Sequence, residues 1–272
     1  GVGTHGTHMR PVLLPLLAGA SLASNPSTVP PSRFIHVDRS DAGSGFNASS
    51  VTVYLGSGCF WGRQHDYAEE FERKLLGRTK ETITAVGGYF GGESAEACYY
   101  NAKNFSVYAE HGHAEVIRVS VPLTQSGARD AGEALEALFR VYFSAFVEVD
   151  PGLFVREDYF DQGAGYRALV GFPLSDPAIA PLAFSALHRA NSATGRNMRL
   201  IVSAGGSDGD TLGKGVVYVM DSANFVFHQA ELCLQFRNNQ TGAYPKRYHD
   251  LKGALLARGL LKPTECPENY VC

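Results

Sequence analysis

The stretch of this chain best equipped for chemistry is Gly56-Ser57-Gly58-Cys59-Phe60-Trp61-Gly62. A cysteine attacks as its thiolate, so the surroundings of Cys59 matter as much as its sulfur. The run before it, Ser50-Val51-Thr52-Val53-Tyr54-Leu55, is rich in β-formers. The run after it, Arg63 to Leu76, spaces Tyr67, Phe71, Lys74 and Leu75 at helical intervals and stops at Gly77. Cys59 is therefore predicted at a strand-to-helix turn, near a helix N-terminus whose N–H groups favour an anion. Phe60 and Trp61, the single Trp of the chain, offer an apolar wall beside the sulfur, and the flanking glycines allow close approach. The same residues also fit a buried structural cysteine on a Gly-rich turn.

The rest of the chain must position that turn. With 272 residues and 44% hydrophobic residues there is material for one large domain or two small ones. A formal net charge of -3 excludes a general nucleic-acid binder, and no apolar run reaches the ~20 residues of a membrane span. No two of the five Cys are spaced Cys-x-x-Cys, and the His residues form no His-x-x-x-His or His-Glu-x-x-His arrangement, so no metal site is expected.

Residues 1–49 read as a tag- and targeting-like stretch plus linker without a packed core. Met9 to Ser24 combines one Arg with an apolar run that ends in small residues, in the manner of a secretory leader, and a disordered tail is the other reading. Asn25 to Ser49 is rich in Ser, Pro, Gly and Asn. Sequons at Asn47, Asn104 and Asn239 matter only on the export route; the alternatives are the secretory pathway or an organelle, and otherwise the cytoplasm. Residues 50–262 form the predicted folded domain. Strands are expected at Ser50–Leu55, Thr82–Val86, Ile117–Val121, Tyr166–Phe172, Leu200–Ala204 and Val216–Met220. Helices are expected at Ala131–Phe146, Ala178–Ala190, His228–Phe236 and Tyr248–Gly259. The irregular alternation predicts an α+β fold.

Five motifs occur in one order: Gly58-Cys59-Phe60-Trp61-Gly62, Gly88-Tyr89-Phe90-Gly91-Gly92, Gly112-His113-Ala114-Glu115-Val116, Asp150-Pro151, and Asp161-Gln162-Gly163-Ala164-Gly165-Tyr166-Arg167. In this the chain resembles the type A peptide methionine sulfoxide reductases, clearly over Ser50 to Phe172 and more thinly around Phe227-His228-Gln229-Ala230-Glu231. The resemblance implies a ferredoxin-like sandwich, a mixed sheet with flanking helices and long coil segments. It implies thiol-dependent reduction of methionine-(S)-sulfoxide, free or in oxidised proteins, with Cys59 passing through a sulfenic acid. By resemblance Glu115 is the acid, Asp161 and Tyr166 hold the sulfoxide oxygen, and Phe60 and Trp61 hold the methyl group. Gly58, Tyr100 and His113 complete the substrate-binding surface. No bound cofactor is implied; the electrons come from an external dithiol such as thioredoxin, and a monomer is expected.

The departures are specific. Where the family carries a Tyr four residues before a cysteine, this chain has Ser94 before Cys98, and Tyr99 and Tyr100 stand just beyond to supply a hydroxyl from another direction. The segment from Cys98 to Gly112 is long and contains Phe105 and Tyr108. His65 either assists the thiolate or faces solvent. Residues 263–272 form a tail with Cys266 and Cys272 but without the family's Gly-rich sequence. Cys266, Cys272, Cys233 and Cys98 are candidates for resolving the sulfenic acid, and a structural Cys266–Cys272 pair is the alternative. Other functions open to the fold are binding without turnover and reduction of another sulfoxide-like substrate.

Overall fold

The computed structural model describes residues 50–92, 97–100, 107–124, 130–156, 161–206, 208–237 and 244–268, within a compact unit spanning Ser44–Cys272. Alternation dictates the centre. In β1 (Ser50–Gly56) every second residue, Val51, Val53 and Leu55, is buried. β1 pairs antiparallel with β3 (Ala114–Pro122), Val53 opposite Val119 and Leu55 opposite Ile117. β2 (Val86–Phe90) joins β3 antiparallel, which puts Tyr89 opposite Glu115. The sheet has seven strands in the order β7-β8-β6-β1-β3-β2-β9. β6 (Leu169–Phe172), β8 (Val216–Asp221) and β7 (Arg199–Ser203) run parallel to one another, and β9 (His228–Gln229) closes the far edge. A separate hairpin is made by β4 (Phe146–Asp150) and β5 (Leu153–Arg156).

Helices cover one face. α1 (Phe60–His65) follows β1 and continues as a π-helix, Asp66–Leu75. A short α2 spans Val107–Glu110. α3 (Ala131–Ser144) starts at a capping box of Asp130 and Glu133 and buries Leu135, Leu138, Phe139, Tyr142 and Phe143. α4 (Ile179–Ala193) lies beside it and α5 (Lys246–Ala257) buries Tyr248, Leu251 and Leu255. These apolar stripes share one core with Val53, Leu55, Val119 and Val170. The opposite face of the sheet carries a smaller apolar cluster of Phe90, Val116, Leu169 and Met220, over which Tyr54 stacks on Phe90. A mixed sheet with flanking helices is the α+β architecture expected from the sequence.

Three local expectations are corrected. The second strand is Val86–Phe90 and not Thr82–Val86, because Gly87 and Gly88 lie inside it. A Cβ on Gly88 would stand 2.3 Å from the His228 carbonyl and 2.4 Å from the Phe227 ring, so these glycines admit a neighbouring chain and do not end a strand. The segment His228–Phe236 is not a helix but β9 followed by one 3₁₀ turn, Leu232–Leu234. Tyr166 closes the 3₁₀ turn Ala164–Tyr166, and β6 begins only at Leu169. Among the described residues, no helix is long and apolar enough to cross a membrane. The sequons at Asn47, Asn104 and Asn239, together with Ser94, Phe105 and Cys272, lie outside the described residues.

Candidate active site

β1 delivers the chain into the turn, and several groups hold the turn in place. The Tyr142 hydroxyl of α3 donates to the Gly56 carbonyl at 3.1 Å. Gly58 has φ of +90°, and a Cβ there would meet the Arg156 side chain at 3.1 Å, so both conformation and space call for glycine. Its N–H donates to the Tyr166 carbonyl at 3.2 Å, which joins the turn to the segment leading into β6. Cys59 is the N-cap residue of α1, half-buried, and retains its thiol.

The first N–H of α1, that of Phe60, donates to Glu115 Oε2 at 2.9 Å. The Tyr108 hydroxyl donates to Glu115 Oε1 at 2.8 Å. Glu115 is 1% exposed. Burial pushes its carboxyl up to about 8; the bonds from Phe60 and Tyr108 oppose that rise, and the charges of Asp161 and Glu231 add to it. A carboxylic acid thus keeps its proton at neutral pH beside a thiol. The phenols continue the network. Tyr166 hydrogen-bonds with both Tyr108 and Tyr99 through their side chains. Burial pushes Tyr99 up to about 12, with Glu115, Cys59 and Asp161 as further negative neighbours, and burial raises Tyr166 as well. Tyr89 stacks on Tyr108 with ring centres 4.5 Å apart. Phe60 packs against Tyr89 from the other side. Trp61 lies under the Arg237 guanidinium at 4.3 Å, and its buried indole N–H has no hydrogen-bond partner among the described residues.

Cys59, Phe60, Glu115, Asp161 and Tyr166 are thus brought to one place. Sequence reasoning left two contributors there, Tyr108 and Arg156, without a role, and did not separate Tyr99 from Tyr100 as the source of a hydroxyl. Tyr108, from the long segment, is fully buried on Glu115. Tyr99, and not its neighbour Tyr100, is the residue whose ring stands against Tyr108. Arg156, from the β4–β5 hairpin, donates to the Asp161 carbonyl at 2.6 Å while its stem covers Gly58. The length of the 98–112 segment is the sequence signal for Tyr108, and Ser94 in place of a tyrosine is the signal for Tyr99. Nothing marks Arg156, because a lone Arg at the end of a short strand has no pattern.

Other sequence candidates are placed differently. His113 is buried, its Nδ1 accepting the Gly92 N–H at 3.2 Å with its ring edge-on to His228. His65 is stacked on Tyr244 at 3.9 Å, an aromatic packing position on the helix. Cys98 and Cys266 form a disulfide with each other, so neither stands ready as a resolving thiol and Cys266 is not paired with Cys272. Cys233 is also disulfide-bonded. The β9 segment reaches back into the site: Gln235 bonds both the N–H and C=O of Gly87 and accepts from Gln64 of α1 at 3.0 Å. Arg167, fully buried, donates to the carbonyls of Ala164, Gly91 and Gly112 and so ties three of the motif loops together.

No family model matches the chain, and no curated protein does. Among solved structures, the chain is similar to Mxr1 from Saccharomyces cerevisiae in reduced form, with 18% identity and a TM-score of 0.44 over 74% of this chain and 92% of that one. It is similar to methionine sulfoxide reductase A of Corynebacterium diphtheriae, with 18% identity and a TM-score of 0.44 over 72% of this chain and 78% of that one. Mxr1 in an unusual oxidized form gives 17% identity and a TM-score of 0.34 over 69% and 80%.

Proposed function

We propose that the chain reduces methionine-(S)-sulfoxide, free or in peptides, to methionine, with Cys59 as the group that takes the oxygen. The observation that carries this reading is a thiol at a helix N-cap whose adjoining backbone N–H is bonded to a buried, proton-retaining carboxyl. A sulfoxide needs both partners. The Cys59 sulfur attacks, the S–O bond breaks, and the oxygen must be protonated as it leaves sulfur. The sulfoxide and the thiol become a thioether and a sulfenic acid, so one oxygen is transferred and Cys59 is oxidised by two electrons.

Glu115 supplies the proton, and Tyr108 and Tyr166 form the path along which it is replaced. Tyr99 and Tyr166 hold the sulfoxide oxygen by their hydroxyls, with Asp161 beside them. Phe60 and Trp61 receive the methyl group on aromatic faces. Gly58 keeps the turn open for close approach. His113 acts from behind, by fixing Gly92, and Tyr100 extends the binding surface. The sulfenic acid then reacts with an external dithiol of the thioredoxin class, giving water and a disulfide in the reductant. With Cys98, Cys266 and Cys233 already in disulfides, the external thiols do the resolving. No bound cofactor takes part.

The test is turnover of each epimer of methyl p-tolyl sulfoxide with dithiothreitol as reductant. The S epimer is expected to yield the sulfide, and Cys59→Ser to abolish the reaction with the fold intact, since an alcohol without an adjacent base is a poor nucleophile. Absence of sulfide with wild type, or turnover by the Ser variant, refutes the reading.

A further inference from the structure

Tyr99 and Tyr108 come from a segment that departs from the family pattern, yet both phenols stand in the site. What places them converges on Cys98. Its peptide bond leads directly to Tyr99, and its carbonyl accepts the Tyr108 N–H at 3.0 Å. Its sulfur is bonded to Cys266, 168 residues further along the chain. Beside that disulfide lies the Glu231 carboxylate, fully buried, with an oxygen within 4.8 Å of both sulfurs. Glu231 accepts the Tyr99 N–H at 2.8 Å with one oxygen and the Tyr89 hydroxyl at 2.8 Å with the other. Tyr89 in turn is stacked on Tyr108. Two independent attachments, one covalent and one a pair of hydrogen bonds to a buried carboxyl, therefore fix the same two phenols.

We propose that the Cys98–Cys266 disulfide, seated on Glu231, is a positioning clasp for Tyr99 and Tyr108, so that sulfoxide reduction requires this disulfide intact while Cys59 is a thiol. The inference rests on the reading of Cys59 given above. It gives the cysteines separate roles, in which Cys59 cycles and the pair stays oxidised. The chemistry around the pair favours that division. Opening it by a dithiol transfers two electrons, forms a disulfide in the reductant and leaves Cys98 and Cys266 as thiols. The first sulfur to leave does so as a thiolate next to the Glu231 carboxylate, where like charge disfavours it, and a thiol of raised pKa leaves slowly. Glu231 thereby protects the disulfide beside which it holds Tyr99. Activity is then expected to rise with dithiol concentration, as Cys59 is recycled, and to fall at concentrations that open the clasp.

The experiment uses the full chain. Single-turnover oxidation of Cys59 by methyl p-tolyl sulfoxide is followed in wild type, in Cys98→Ser/Cys266→Ser, in Tyr99→Phe, and in the triple variant. Loss of the clasp is expected to slow the maximal rate about tenfold to a hundredfold, the scale of a small misplacement of catalytic groups, with less effect on the half-saturating concentration. Tyr99→Phe is expected to cost a similar factor in wild type and less than about twofold in the double variant, because both act through one hydroxyl. A full rate in the double variant, or additive losses, overturns the proposal. Glu231→Gln keeps the disulfide and guards against a double variant that fails to fold; it should slow the same step, and an unchanged rate overturns the proposal.

A second readout does not depend on turnover. In protein labelled with ¹³C on the tyrosine rings, the Tyr99 signal, identified by its loss in Tyr99→Phe, is expected to shift when the disulfide is opened and to return on reoxidation. A Tyr99 signal that ignores the state of the disulfide overturns the clasp. A wild type that transfers no oxygen to Cys59 overturns the functional reading, and the ring signal still decides whether the clasp exists.

Discussion

Replacing Glu115 by Gln isolates the proton at the centre of the site. The amide fills the same volume and can accept the Phe60 N–H with its oxygen, but it has no acidic proton. Burial pushes the Glu115 carboxyl from the ordinary 4.5 up to about 8. Between those values the unfolded chain has released this proton and the folded chain retains it. The contribution to stability is thus present in full below about pH 4.5 and is lost as pH rises through about 8. Over the span from pH 5 to pH 7 the loss comes to about 2–3 kcal/mol, at ~1.4 kcal/mol per pH unit. Urea unfolding, followed through Trp61 fluorescence at a series of pH values, measures it directly. The difference in stability between wild type and Glu115→Gln should drift by that amount in favour of the variant, because all other titrating groups are common to both. In single turnover the variant should be slower by ~10²–10⁴-fold, and the wild-type rate should fall as pH exceeds about 8. A stability difference that is flat with pH would show that Glu115 is ionised at neutrality and would remove it from the role of acid.

Three further outcomes are expected. Trp61→Ala should raise the KM for the sulfoxide more than it lowers kcat, since it removes an apolar wall of ~150–250 Å²; an unchanged KM places the methyl group elsewhere. Gly88→Ala forces a methyl group to within 2.3 Å of the His228 carbonyl and should cost about 1–3 kcal/mol or more in urea unfolding, with stability equal to wild type as the refuting result. Arg156→Met keeps an apolar stem over Gly58 but loses the bond to the Asp161 carbonyl; a stability loss of about 2 kcal/mol is expected, together with a slower single turnover, and wild-type values on both measures would separate Arg156 from the site.

Much of the fold is legible because burial writes itself into period. The alternating Val51, Val53 and Leu55, and the stripe of Leu135, Leu138, Phe139 and Tyr142, fit only a half-buried strand and a one-faced helix. Gly87 and Gly88 mislead because a glycine that relieves a clash and a glycine that makes a turn look alike until the neighbour is known. The β4–β5 hairpin has Val147 and Val149 exposed, so hydrophobicity there does not report burial. In the site, Cys59 is readable from the residues around it, and Glu115 only through the resemblance that its motif carries. Tyr108 and Glu231 are not, because their roles arise from contacts between residues up to 142 positions apart. The pairing of Cys98 with Cys266 is unreadable for the same reason, since spacing along a chain carries no information on which distant sulfur is near.

The groups behind the phenols share an origin late in the chain. Glu231, Gln235, Cys266 and Glu268 all come from its final part, whereas Cys59 and Glu115 belong to its first half. Chains emerge from the ribosome N-terminus first, at about 5–20 residues per second. Cys59 therefore precedes Glu268 by roughly 10–40 s. Over that interval β1, α1 and β3 can associate, but the Tyr89–Glu231 bond, the Gln64–Gln235 bond and the disulfide have no partner to form with. The nascent protein carries its reactive sulfur without the oriented phenols. On the function proposed above, oxygen transfer then begins only after residues as late as Glu268 have been added, so maturation of a reducing site calls for an oxidant able to form disulfides.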